Sequence, residues 1–334
     1  MAAKYLPIIL PVISLFAGFI IRCLITVHLE HYTEEKTNAN FGKLNVENGR
    51  QSIISERSSD YSFTNVSILC WVMTSRENLF SKAIHITQTW GPRCNLTLYI
   101  TDEPPKRPFP GRVISLPVET GRKGLWGKTR AAFAFIFEHY RERFDWFLKA
   151  DDDTYVIVDN VRYFLATKDT NEPSYFGNMF HIPKSEIKFD YMSGGAGYVI
   201  NKEALRMFMS VMYTESLCPF HGVAMEYPED VMVGYCLKKA GVTAQSSLDS
   251  MGRARFLPLR FIDHINGVTV ADWFRLFSRE AYSLGVSCCS DYLVTFHYVK
   301  PLQMYALEYM TQRLRVASRS KEHVYHIDGQ KFMI

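Results

Sequence analysis

Asp145-Trp146-Phe147-Leu148-Lys149-Ala150-Asp151-Asp152-Asp153-Thr154-Tyr155-Val156 is the stretch on which the fold of this chain turns. An apolar run that ends in Asp-x-Asp puts carboxylates at the carboxyl edge of a sheet, where open α/β folds bind ligands and hard cations find oxygen donors. A run of acids is by default a solvated turn. Here Trp146-Phe147-Leu148 precedes it and Tyr155-Val156-Ile157-Val158 follows, and both flanks have the character of buried β segments. Three carboxylates crowded between buried strands repel one another and need a cation. Lys149 offers one charge, which leaves room for a divalent ion beside a diphosphate.

Working outward, Ser67 to Met73 has the pattern of a buried first strand, and Asn78 to Trp90 carries helix-spaced apolar residues up to Gly91-Pro92. Leu96 to Ile100 and Val113 to Leu116 form further strands, and Trp126 to Arg143 a long helix that delivers the chain to the acidic strand. Strands alternating with helices predict an α/β architecture with a mainly parallel central sheet. Gly127-Lys128 lacks the spacing of a P-loop, which argues against a nucleoside triphosphatase.

The chain has 334 residues, 47% of them hydrophobic, enough for a substantial core. Its formal charge of +4 gives no support for nucleic acid as a partner. Leu6 to Ile21 is uncharged and apolar, and the apolar character resumes after Arg22, so residues 6–28 are expected to anchor the protein in a membrane. Lys4 and the amino terminus precede the anchor while acids follow it, which predicts a cytosolic tail (residues 1–5) and a luminal remainder. Residues 29–64 are polar and expected to be a stem, residues 65–310 the catalytic domain, and residues 311–334 a basic tail. Two glycosylation triplets, at Asn65 and Asn95, suit that topology. So do the six cysteines beyond the anchor, which allow fifteen pairings.

Ser193-Gly194-Gly195-Ala196-Gly197-Tyr198 lets a backbone approach a ligand closely, or simply turns tightly. Pro228-Glu229-Asp230-Val231 leads a helical stretch, Met232 to Ala240, where its acids either cap the helix or do chemistry. Phe296-His297-Tyr298 holds an imidazole that either packs in the core or completes a metal shell.

Taken in order, these segments, with Leu125 to Thr129, Met192 to Tyr198 and Cys288-Cys289-Ser290-Asp291, resemble the glycoprotein-N-acetylgalactosamine 3-β-galactosyltransferases, or core 1 synthases. The resemblance spans roughly residues 66 to 300. It implies a glycosyltransferase-A fold in the Golgi lumen, inverting transfer from UDP-galactose, Mn2+ as cofactor, and a GalNAc-bearing glycoprotein acceptor; a homodimer is compatible with it. It implies metal ligation by Asp151, Asp153 and His297 and nucleotide binding by Thr74, Lys128, Lys149, Asp151, Asp152, Gly194 and Gly195. Asp230 becomes the expected base, with Glu229 as the alternative. A vicinal Cys288–Cys289 disulfide is also implied, with Cys70–Cys94 and Cys218–Cys236 as the remaining expected pairs. The aromatic segment before Cys288, Trp273-Phe274-Arg275-Leu276-Phe277 with Tyr282, departs from the family and leaves the acceptor open. Two other functions compete: a non-catalytic folding partner, which the intact acids oppose, and a haloacid-dehalogenase-type phosphatase, which the anchor opposes.

Overall fold

The computed structural model describes residues 65–183, 188–221, 227–267, 272–280 and 284–315, together with strands 324–327 and 330–333. The expected tail, anchor and stem (residues 1–64) lie outside the described residues. Among those described, no helix is long and apolar enough to cross a membrane.

Strand β1 (Ile68–Met73) is buried along its whole length, because elements cover both faces of the sheet it centres. Beside it lie β2 (Leu96–Thr101) and then β3 (Arg112–Ser115) on one side, and β4 (Trp146–Asp151) on the other, all parallel. Between β1 and β2 the expected helix is shorter than its apolar spacing suggested. A π-helical turn, Leu79–Ala83, runs into the single α-turn α1 (Ile84–Thr87). The helix that delivers the chain to β4 is α2 (Leu125–Tyr140).

After the acids the expected β flank is only two residues long. Strand β5 (Tyr155–Val156) joins a separate small sheet, and the chain then turns into α3 (Val158–Leu165), whose apolar residues pack on the core. The central sheet continues through β6 (Tyr175–Gly177) at its edge. The two-stranded ribbon of β7 (Met179–His181) and β8 (Asp190–Met192) follows. Strand β9 (Tyr198–Asn201) runs antiparallel between β4 and β6, giving the order β3-β2-β1-β4-β9-β6. The sheet is therefore mixed, with β9 the reversed strand.

Helices α4 (Lys202–Val211) and α5 (Glu229–Lys239) pack with α2 on one sheet face. Short β10 (Phe256–Leu257), α6 (Phe261–Asn266), α7 (Asp272–Phe277), β11 (Thr295–Phe296) and α8 (Pro301–Gln312) complete this unit. The C-terminal hairpin of β12 (Val324–Ile327) and β13 (Gln330–Met333) stands in the segment expected to be a basic tail.

Side-chain alternation sorts the core into two layers. Leu69 and Trp71 of β1 face α2, whereas Ile68, Cys70 and Val72 face the opposite layer with Trp146, Leu148 and Phe164. Burying each large apolar side chain contributes about 1.5–3 kcal/mol. The disulfides are Cys70–Cys94, Cys218–Cys236 and Cys288–Cys289. The first ties β1 to the turn that precedes β2, and the second holds α5 to the loop after α4.

The chain lays down β1, β2 and β3 in one direction and then crosses back to place β4 on the other side of β1. Their shared edge is a topological switch point, where a crevice opens beyond the strand carboxyl ends. Met73 pairs with Asp151 there, so β1 and the acidic strand end side by side.

Candidate active site

A cavity of about 680 Å³ occupies that crevice. Thr74, Asp102, Lys128, Asp151, Asp152, Asp153, Gly195, Asp230 and His297 all contribute to its wall. The three consecutive acids have three different surroundings.

Asp152 is tied down. Its Oδ2 accepts hydrogen bonds from Thr74 Oγ1 and Asn78 Nδ2, both at 2.9 Å, and its Oδ1 accepts from Lys82 Nζ at 3.1 Å. Burial raises its pKa, with Lys82 and Thr74 only partly offsetting that. The residue pins the π-helical turn to the end of β4.

Asp151 and Asp153 instead converge with His297, their ligand atoms lying within 4.8 Å of one another. His297 Nε2 is 3.4 Å from Asp153 Oδ1 and 4.0 Å from Asp151 Oδ2. The other ring nitrogen, Nδ1, sits 3.0 Å from the Pro258 carbonyl oxygen. Since that oxygen can only accept, Nδ1 carries the proton and Nε2 keeps its lone pair toward the carboxylates when the ring is neutral. Burial pushes the Asp153 carboxyl up, but His297 and Lys82 outweigh it and hold the group below its ordinary range. Two carboxylate oxygens and one imidazole nitrogen make a donor set suited to a divalent first-row metal.

What brings His297 there is register. Phe296 pairs with Tyr155, and the Val299 amide donates to the Asp153 carbonyl at 2.8 Å, so the strand carrying the imidazole is laced to the acidic turn. Tyr298 adopts φ 54°, a left-handed conformation uncommon for a residue with a side chain, and its ring stacks on the imidazole at 3.8 Å.

The small residues opposite serve the same convergence. A Cβ on Gly195 would stand 2.0 Å from His297 Cε1, and one on Gly194 would meet Glu229 Oε1 at 2.9 Å. The space these glycines leave open is occupied by the side chains of His297 and Glu229.

Lys149, Gly194 and Glu229 do not contribute to the cavity wall. The alternation of β4 turns Lys149 inward beside Tyr198, where its ammonium, 1% exposed, bonds Asp151 Oδ1 at 2.6 Å, Glu229 Oε1 at 3.0 Å and the Gly194 carbonyl at 3.0 Å. Burial alone would discharge this lysine; Asp151 and Glu229 outweigh it and raise its pKa. Burial also pushes Glu229 up to about 7, against the pull of Lys149.

Asp230, one residue on, reaches the cavity from the first turn of α5. Gly194 N donates to its Oδ2 at 2.8 Å and Val231 N to its Oδ1 at 2.9 Å. Burial raises its pKa in spite of both bonds.

Lys128 Nζ donates to the Thr74 carbonyl at 3.0 Å and to Asp102 Oδ2 at 3.2 Å. The other oxygen, Asp102 Oδ1, is buried without a hydrogen-bond partner. Sequence reading passed over Asp102, although it directly follows β2 as Asp152 follows β4, and it passed over Lys82, which its helical context disguised. Phe180, Tyr191, Trp273 and Phe277 form an aromatic side of the same cavity.

Residues 65–251 match a protein family described as Fringe-like. The chain is 40% identical over 256 residues to glycoprotein-N-acetylgalactosamine 3-beta-galactosyltransferase 1 of Xenopus laevis, covering 75% of this chain and 67% of the relative. It is 24% identical to a beta-1,3-glucosyltransferase of Mus musculus, covering 59% of this chain and 40% of that one. It is 27% identical to chondroitin sulfate synthase 3 of Homo sapiens, covering 52% of this chain and 20% of that one.

Proposed function

We propose, since this chain belongs to the Fringe-like family and to its glycoprotein-N-acetylgalactosamine 3-beta-galactosyltransferases, that it transfers galactose with inversion from UDP-galactose to GalNAc on serine or threonine of glycoproteins. One observation carries the reading: a two-carboxylate, one-imidazole cluster and a separate buried-edge carboxylate, Asp230, line a single cavity at the switch point of the sheet. Inverting transfer requires those two parts, one for the leaving diphosphate and one for the acceptor proton.

Asp151, Asp153 and His297 would hold the metal, taken here as Mn2+, which when bound supplies Lewis-acid stabilisation of the departing diphosphate worth several kcal/mol. Lys82 and Lys128 add positive charge to the same wall. The Asp102 carboxylate on the same wall can accept from an N–H donor such as the imide of uracil. At the opposite side, the GalNAc hydroxyl gives its proton to Asp230 as its oxygen bonds the anomeric carbon, while the bond from that carbon to UDP breaks on the other face. The raised pKa of Asp230 suits a base that must take a proton from an alcohol. Phe180, Tyr191 and Trp273 offer apolar faces for the acceptor sugar.

The same proposal covers a glycosyltransferase-A arrangement of the sheet and a type II orientation in the Golgi membrane. The apolar residues 6–28 and the exposed positions of Asn65 and Asn95 support it.

The test is incubation of the full-length protein in detergent with a panel of UDP-sugars, a GalNAc-peptide and Mn2+. Galactose linked β1,3 to GalNAc is the expected product. Transfer of another sugar, or release of phosphate from simple esters with no transfer, overturns the reading.

A further inference from the structure

The β7–β8 ribbon is a partition with two dissimilar faces. Phe180 pairs with Tyr191 and His181 with Asp190, so the two pairs project to opposite sides. Phe180 and Tyr191 line the catalytic cavity, whereas His181 and Asp190 line a second cavity of about 530 Å³.

This second cavity is cationic. Lys188, Lys238 and Arg279 contribute to its wall against one acid, Asp190, which Arg279 Nε engages at 3.2 Å. Among the described residues neither Lys188 nor Lys238 has a carboxylate within 4.0 Å, and His181 Nδ1 is buried with no hydrogen-bond partner. The described residues therefore leave donor capacity in this cavity unsatisfied. Its placement fits an elongated ligand. Lys238 lies on α5, eight residues beyond Asp230, and thus about 12 Å along the helix axis. An extended polypeptide covers that distance in roughly four residues.

We propose that the second cavity is a docking subsite for an aspartate or glutamate side chain of the acceptor polypeptide, roughly three to six residues from the glycosylated position, gripped by Lys188, Lys238 and Arg279. The proposal rests on the galactosyltransferase reading for the identity of the polypeptide. It makes the acceptor's flanking charge, rather than its sugar alone, a determinant of which glycoproteins are served.

The test is fluorescence anisotropy with the full-length protein in detergent and UDP, using two labelled GalNAc-peptides that differ by Asp or Asn four residues from the glycan. The acidic peptide binds about 3- to 10-fold more tightly at low salt, the range expected for two or three solvent-accessible ion pairs. Salt erodes the advantage. The Lys188→Ala/Lys238→Ala double variant, which alters only exposed side chains, binds both peptides equally. Equal affinities in the unaltered protein, an acidic advantage that survives in the double variant, or lysine-dependent capture of heparin without any preference between the peptides overturns the proposal. Transfer to a small soluble GalNAc glycoside is measured in parallel. Its absence overturns the galactosyltransferase reading, while the peptide comparison still decides the docking subsite.

Discussion

Lys149 Nζ lies 2.6 Å from Asp151 Oδ1 inside the core, and the same ammonium holds Glu229 at 3.0 Å. A metal-facing carboxylate is thereby anchored from behind by a charge that never meets solvent. This bridge joins β4 to the first turn of α5, the two elements that carry Asp151 and Asp230, so the distance between those two carboxylates is tied to an ion network around a buried lysine.

Removing that charge leaves the buried Glu229 carboxylate without its cation and close to Asp151 on the cavity wall. Lys149→Met is expected to cost about 3–5 kcal/mol of stability in urea unfolding. Adding Glu229→Leu to it should recover part of that loss, because the orphaned buried charge is then gone. Equal stability of Lys149→Met and the unaltered protein would remove the network from its structural role.

The raised pKa of Glu229 makes stability depend on pH in a definite direction. Between its ordinary 4.5 and about 7 the folded protein holds a proton that the unfolded chain has released. This contribution is complete below about 4.5 and is lost as pH rises to about 7. It amounts to something on the order of 1–3 kcal/mol. Thermal unfolding of the metal-free protein across this window should show the decline, and Glu229→Gln should flatten it.

Gly195→Ala should damage the metal cluster without unfolding the chain. The added Cβ would collide with the imidazole of His297, 2.0 to 2.5 Å from three of its ring atoms, and turn Nε2 away from Asp151 and Asp153. Loss of one of three ligands is expected to weaken Mn2+ binding by about 10- to 100-fold in calorimetry, as displaced metal-site groups generally do. The circular dichroism spectrum should be unchanged, and His297→Ala should weaken binding by at least as much.

Asp230→Asn keeps the shape and leaves one oxygen to accept from Gly194 N, at the expense of the bond from Val231 N, but removes the basic carboxylate. Turnover is expected to fall about 100- to 10,000-fold while UDP affinity holds within about twofold. Glu229→Gln should reduce turnover far less, since Glu229 stands outside the cavity wall. The reverse order of effects in single-turnover kinetics would exchange the two roles.

Much of this was legible along the chain. The buried strands announce themselves by apolar runs of β length, and Asp151 and Asp153 by standing at the end of one. The brevity of the segment after the acids was not legible, because Tyr155-Val156-Ile157-Val158 satisfies a strand and the first turn of a helix equally well. Strand pairing with Thr295–Phe296 decided for two residues of strand only. That Asp152 is held by Thr74, Asn78 and Lys82 while Asp151 and Asp153 turn to His297 was not legible, because identical neighbours cannot be told apart by the partners that the fold brings to them.

By itself the sequence determined the alternation of strands and helices, the carboxylates at the strand end and the family to which the chain belongs, because these depend on residues adjacent in the chain, where spacing and burial are coupled directly. The tertiary structure alone decided that His297 meets Asp153 across 144 positions, that Gly195 makes room for the imidazole and that Lys149 joins Asp151 to Glu229. Those meetings depend on how strands pair and cross at the switch point, and separation along a flexible chain carries no information about distance in space.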